Sequence, residues 1–185
     1  VDFRHALLTG IRPVKAAVPP DFAIHALEHG DGAVWMSDDP RELYQMQPVV
    51  EKAHGNVLVG GLGLGIVAAL LAERAAVRMV TVVEIEQEVI DCAWPHVRKL
   101  AASSKIQVQH ADIYDFVARD GLWQFDQAFM DIWTGWGEST WWSTVLPLRI
   151  AIAERAPTLP VTCWIEDQML TQARPMRQMI LAQPP

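Results

Sequence analysis

The chain is poor in the features that mark several protein classes. It has only two cysteines, Cys92 and Cys163, each in an apolar stretch. That excludes a disulfide framework, and a pair of buried, reduced thiols is the plainer reading than a catalytic or metal-binding pair. Of the six histidines only His25 and His29 stand four apart, and no CxxC pair accompanies them, so no metal site is expected. Long apolar runs are missing too. The longest, Ile66 to Ala72, is far below the roughly 18 to 20 residues that a membrane span needs. The start of the chain, with Asp2, Arg4 and His5, has no signal-peptide core, which makes the cytoplasm the expected compartment. Clustered positive charge is also lacking. The formal net charge is −7, and basic residues come only in scattered pairs such as Arg12 and Lys15 or Arg98 and Lys99. A phosphate-binding surface needs them clustered, so the composition argues against nucleic acid as a partner. There is no low-complexity tract and no internal repeat.

What remains is an ordinary globular balance, 51% apolar and 20% charged, over 185 residues. That length suits one domain with a small appendage. Residues 1–36 read as a small β-rich N-terminal element. Pro13, Pro19-Pro20 and Gly30-Asp-Gly32 break it, and Ala33-Val-Trp-Met36 forms a strand after the last turn. Ser37-Asp-Asp-Pro40 is a helix start, with capping residues before a proline at the first helical position. That helix is expected to reach Met46, with Pro48 restarting a second toward Ala53.

From there to the end, residues 37–185 read as one Rossmann-like α/β domain. Strands are predicted at 57–60, 79–84, 106–110, 125–131 and 161–165. Helices are predicted at 66–74, 87–100 with a break near Pro95, 113–119, 139–153 with an interruption at Pro147, and 169–181. Such alternation implies a mostly parallel sheet covered on both faces, a three-layer αβα sandwich. Open sheets of this kind bind ligands beyond the carboxyl ends of their strands.

The residues of interest all fall at those strand ends. Gly60, Gly61, Gly63 and Gly65 lie between the first strand of this domain and its helix, where glycine permits positive φ and close approach of a ligand to the backbone. The helix start offers free N–H groups. A tight turn without a ligand would use fewer glycines. The spacing has two readings. Gly61-x-Gly63-x-Gly65 is the pattern of adenosylmethionine-binding domains, and Gly63-x-Gly65-x-x-Ala68 fits the dinucleotide fingerprint. Glu84 ends the next strand, 19 residues after Gly65, placed to accept hydrogen bonds from ribose hydroxyls in either cofactor. Asp112 ends the following strand, where it can accept from an adenine amino group while the Ile113 N–H reaches a ring nitrogen. It can also cap the helix that follows.

Taken in order, Val57-Leu-Val-Gly-Gly-Leu-Gly-Leu-Gly65, Val82-Val-Glu-Ile-Glu-Gln-Glu-Val-Ile90, His110-Ala-Asp112 and Phe125-Asp-Gln-Ala-Phe-Met-Asp131 resemble the class I S-adenosylmethionine-dependent methyltransferases. Within them the chain is most similar to the spermidine synthase branch, whose Tyr-His-Glu-Met segment is echoed by Tyr44-Gln-Met46. The resemblance spans residues 33–166. It implies S-adenosylmethionine as cofactor, held by Gly60, Gly61, Leu62, Gly63, Gly65, Glu84, Ile85, Asp112 and Ile113, and a catalytic role for Asp131. It also makes a homodimer an expectation. The departures are specific. Val59 stands where most of these methyltransferases have an acid, and Gly63 where spermidine synthases have Asp. The Asp-x-x-Asp of spermidine synthases reads Asp131-Ile-Trp-Thr134. The chain ends at Pro184-Pro185, before the final antiparallel strands usual for the superfamily, so a trimmed fold or a longer native chain is expected.

On the acceptor side, Asp131 can take a proton or hold an ammonium group. Trp133-Thr-Gly-Trp-Gly-Glu-Ser-Thr-Trp-Trp142 offers aromatic surface that could close over an acceptor or a cation, or equally serve as a core or dimer contact. The sequence therefore points to group transfer from S-adenosylmethionine to a small-molecule acceptor, methyl before aminopropyl. The alternatives are a NAD(P)-binding oxidoreductase, for which no Tyr-x-x-x-Lys pair is present, and a non-catalytic member of the fold.

Overall fold

The protein was analysed as a computed structural model, which describes residues 23–181 apart from 29, 31, 33, 120, 134 and 136. The extended segments expected before residue 23 lie outside the described residues. Two strands, β1 (Ala26–Glu28) and β2 (Val34–Ser37), pair antiparallel as a hairpin. Its base is closed by His25 and Asp38. The His25 N–H donates to Asp38 Oδ1 at 2.7 Å, the His25 ring lies 2.8 Å from Asp38 Oδ2, and the Asp38 N–H donates to the His25 carbonyl at 3.0 Å.

The main sheet has five parallel strands, β3 (Gly55–Gly60), β4 (Val77–Glu84), β5 (Ile106–His110), β6 (Gln127–Met130) and β7 (Val161–Cys163), in the order β5-β4-β3-β6-β7. The expected α/β sandwich is thus the observed one. The chain winds outward from β3 through β4 to β5, then returns to the other side of β3 for β6, so the strand order reverses between β3 and β6. Side chains alternate between faces with period two. Val57, Val59, Val80 and Val82 join one core, while Leu58, Val83, Ala128 and Met130 join the other. The helices that cover the sheet are α1 (Pro40–Lys52), α2 (Ile66–Glu73), α3 (Gln87–Val97), α4 (Ile113–Ala118), α5 (Leu146–Arg155) and α6 (Glu166–Leu181). Seven of the eight residues of α2 are buried, which explains its uniformly apolar sequence.

Prolines are the main difference from expectation. Pro48 does not restart a helix; it lies inside α1. Asp39 caps this helix by accepting the N–H groups of Arg41 and Glu42, and Leu43, Met46, Gln47 and Val50 bury one stripe. That packing outweighs the loss of one backbone hydrogen bond. Pro95 likewise sits inside α3. Before Pro147 the helix is not interrupted but underwound into a π-helical stretch, Trp141–Val145, which leads into α5. Among the described residues no helix is long and apolar enough to cross a membrane.

Candidate functional site

The strand register sets the site. Gly60 pairs with Val83 of β4 and Met130 of β6, and Glu84 pairs with His110 of β5. Gly61, Ile85, Ala111 and Asp131 therefore leave the sheet along one edge, at its carboxyl end. A cavity of about 310 Å³ lies there, near the lower bound for small-molecule sites.

The glycine loop forms its floor. Gly61, Gly63 and Gly65 have φ of +89°, +51° and +75°, all left-handed. Their roles differ. A Cβ on Gly61 would overlap the Asp131 carbonyl oxygen, and one on Gly63, where spermidine synthases carry Asp, would overlap Met36 Sδ. A Cβ on Gly65 would meet Val97 of α3, and one on Gly60 would meet Met130. Gly61, Leu62 and Gly63 line the cavity, whereas Gly60 and Gly65 serve the packing of the turn beneath it.

Glu84 is buried, and its carboxylate braces the loop. Oε2 accepts the Leu62 N–H at 2.7 Å, and Oε1 accepts the Glu86 N–H at 2.9 Å. A carboxylate has about four acceptor positions, so two remain. Asp112 caps α4 through Oδ1, which accepts the Tyr114 N–H at 2.7 Å, while Oδ2 accepts from no described residue. The capping and ligand roles weighed for Asp112 can coexist. Ile85, half-exposed, and Ile113, buried, line the same cavity.

Asp131 completes the wall. Its carboxylate accepts no hydrogen bond from a described residue and borders the cavity. Burial, and secondarily the negative charge of Glu42, pushes its carboxyl from the ordinary 3.8 up to about 7. This has a consequence for stability. Below about pH 4 the proton is bound in both the folded and unfolded states. As pH rises toward 7 the unfolded carboxyl ionises first, so the folded state loses stability through that window and levels off above it. Asp131→Asn removes this loss. Its unfolding free energy should gain on the wild type's as pH rises from 4 to 8, by an amount on the order of a few kcal/mol at most, with the thermal midpoint following. A constant offset across that range would refute the buried, unpartnered carboxyl.

Other expectations fare variously. Among the described residues no group of His, Cys, Asp or Glu could hold a metal ion. Cys163 is buried and its thiol is pushed up to about 12, first by burial, which makes it a poor nucleophile. Cys92 is exposed on α3, not buried, because the stripe that α3 turns to the sheet is Val89, Ala93 and Val97. In the tryptophan-rich segment, Trp133 and Trp141 are buried in the core, and Trp133 also lines the cavity. The indole N–H groups of Trp133, Trp142 and Trp164 are buried without partners among the described residues. Among the residues that sequence reading missed are three on the hairpin, Leu27, Trp35 and Met36, which all line the cavity, as do Tyr114 and Phe129. Nothing local in the sequence couples residue 36 to residue 63.

No family profile and no curated protein matches the sequence. Solved structures do. The SAH-bound Podospora anserina methyltransferase PaMTH1 superposes with a TM-score of 0.52 at 14% identity, over 69% of this chain and 53% of that one. M. capricolum TrmK, crystallised with S-adenosyl-homocysteine, gives 0.46 at 15% identity over 57% of this chain and 44% of TrmK. The 23S rRNA methyltransferase ErmE gives 0.46 at 23% identity over 65% of this chain and 44% of ErmE. The matched part thus spans about half the length of these proteins. What the comparison establishes is the fold, a Rossmann-like sandwich of the kind that PaMTH1 adopts.

Proposed function

We propose that this domain binds S-adenosylmethionine in the cavity above the glycine loop and transfers its methyl group to a small-molecule acceptor. One observation carries the choice of cofactor. The cavity wall holds four carboxylates, Glu84, Glu86, Asp112 and Asp131, and no lysine, arginine or histidine among the described residues. A dinucleotide brings a doubly anionic pyrophosphate, which this wall repels. S-adenosylmethionine brings a sulfonium and an ammonium against a single carboxylate, and so is net cationic. The glycine loop agrees, since its amides are largely committed. Gly61 N–H donates to the Val83 carbonyl, Leu62 N–H to Glu84 and Gly65 N–H to the Leu62 carbonyl, leaving too few for a pyrophosphate.

The residues fit that cofactor. The two unused acceptor positions of Glu84 suit a pair of ribose hydroxyls, and Asp112 Oδ2 suits an adenine amino group. Ile85 and Ile113 offer apolar surface for a flat ring. When bound, S-adenosylmethionine supplies an electrophilic methyl on a sulfonium. The protein's part is to hold an acceptor against it and exclude water. Asp131, unpaired and half-ionised near neutral pH, is placed to accept the acceptor's proton. The absence of basic side chains from the wall supports a small, unphosphorylated acceptor over nucleic acid. The structural similarity to a methyltransferase crystallised with SAH supports methyl transfer over aminopropyl transfer.

Calorimetry tests this reading. S-adenosylmethionine should bind in the micromolar range typical of enzyme ligands, and NAD should bind at least about tenfold more weakly. Equal or tighter binding of NAD, or silence at millimolar S-adenosylmethionine, would remove it.

A further inference from the structure

A second cavity, of about 160 Å³, lies on the face of the sheet that α4 covers, and it shares no residue with the cavity above the glycine loop. Strand register places part of its wall. Thr81 of β4 pairs with Gln107 of β5, and Val83 pairs with Gln109. Alternate residues of a strand share a face, so Thr81, Gln107 and Gln109 stand on the same side as Val83. Gln124 and Arg119 complete the polar wall, and Phe116, Leu122 and Phe125 supply apolar surface. The two phenyl rings lie 6.2 Å apart, inclined by 47°. The far side is tied down: the Gln124 carbonyl accepts from the Asn56 side chain at 2.9 Å, and Asp126 accepts the Asn56 N–H at 2.7 Å. Thr81 is the residue that packing does not explain. It is 7% exposed and interrupts the run Val80-Thr-Val-Val83, where another valine would fill the same space. Its hydroxyl has no hydrogen-bond partner among the described residues, and leaving such a group unpaired costs about 1–3 kcal/mol. Its partner therefore lies in the cavity. The side chains of Gln107, Gln109, Arg119 and Gln124 also make no hydrogen bond to a described residue.

We propose that this cavity is a second ligand site, for a nucleobase taken up free or as its nucleoside. Three primary amides, each both donor and acceptor, call for a ligand that carries donors and acceptors side by side. The two phenyl rings call for a flat one. The space equals about five waters, enough for one small ring system and too little for a dinucleotide or for S-adenosylmethionine. No carboxylate lines it, so a cation gains nothing there. Its single cation, Arg119, is exposed and screened, which is too little to hold an anion. Amide side chains pair with the edges of bases, and aromatic rings hold a base by stacking without any phosphate contact. In this arrangement the base lies against Phe116 and Phe125 while its edge meets Thr81 and the glutamines. Trp123, 86% exposed between Leu122 and Gln124, adds aromatic surface beside the rim. The site is independent of the cofactor reading and stands or falls without it.

The test titrates uracil, cytosine and adenine, and their nucleosides, into the full chain. NMR follows the side-chain amide signals of Gln107, Gln109 and Gln124 and the Thr81 methyl, which report on this cavity alone. At least one base should give saturable shifts in all four at millimolar concentration. Thr81→Val keeps the shape and removes the hydroxyl. It should weaken that base about threefold to tenfold, the worth of one net hydrogen bond, without lowering the thermal midpoint. Glu84→Gln should leave the shifts in place, which separates this site from the cavity above the glycine loop. Three results would overturn the proposal. Shifts from benzoate alone, lost in Arg119→Gln, would make the cavity an anion site. A single strand of the same bases that binds more tightly, and loses that gain as salt rises, would make it a nucleic-acid surface. No shift with any of these ligands, or undiminished affinity in Thr81→Val, would leave only water in the cavity.

Discussion

Gly61→Ala is expected to unfold the domain at a temperature about 10 °C or more below the wild type and to abolish cofactor binding in what remains folded. Two effects add. At φ +89° a side chain costs about 1–2 kcal/mol. The new Cβ would also overlap the backbone carbonyl of Asp131, which no rotamer change relieves. That carbonyl is held in place, because the Asp131 N–H donates to the Gly60 carbonyl at 2.9 Å. Relief therefore means separating the carboxyl ends of β3 and β6, which widens the site where Asp131 stands. Gly30→Ala is the matching control, since a Cβ there meets nothing within 4 Å. Thermal melts of the two variants should differ sharply. Similar melts would show that the turn yields to a Cβ at Gly61 without separating the strands.

Glu84→Gln should cost about tenfold to a hundredfold in affinity for S-adenosylmethionine, the worth of hydrogen bonds to a charged group, and lower stability as well. The amide keeps the shape of the carboxylate but turns one acceptor into a donor. Either Leu62 N–H or Glu86 N–H then faces an NH₂ group inside a buried site. The loss reaches the ligand by two routes: the ribose loses a charged acceptor, and the loop loses the brace that fixes Leu62. Glu88→Gln, two residues after Glu86 and exposed, should change neither. An unchanged affinity in Glu84→Gln would show that this carboxylate serves the loop alone.

Much of this site could be read from sequence because its signals are local. The glycine spacing, Glu84 after a valine run and Asp112 before a helix each mark the end of one strand, and a parallel sheet brings such ends together whatever else the chain does. Strand register then did the rest, setting Gly60, Val83, Gln109 and Met130 at one level with Glu84 and His110 one residue beyond. The unread parts depend on contacts between distant segments. Met36 meets Gly63 only because the hairpin folds over the loop. Pro48 and Pro95 stay helical because buried stripes hold them there, and a proline taken alone argues the other way. Glycines that look equivalent in the motif also prove unequal: Gly65 makes room for Val97, not for a ligand. Composition suggested two buried thiols, but the helix face decided the matter for Cys92.

The strand order also bears on how the protein is made. The central strand, β3, has one neighbour that follows soon after it and one, β6, that begins at Gln127, some seventy residues later. As the chain emerges during synthesis, β3 and β4 can pair while the other edge of β3 still waits. That edge is Val57-Leu-Val-Gly60, apolar and unprotected by charge, the kind of edge that recruits strands from other chains. Folding yield should therefore hinge on the interval before β6 is delivered, and slow synthesis through residues 101–126 should favour aggregation more than slow synthesis after β6 has emerged.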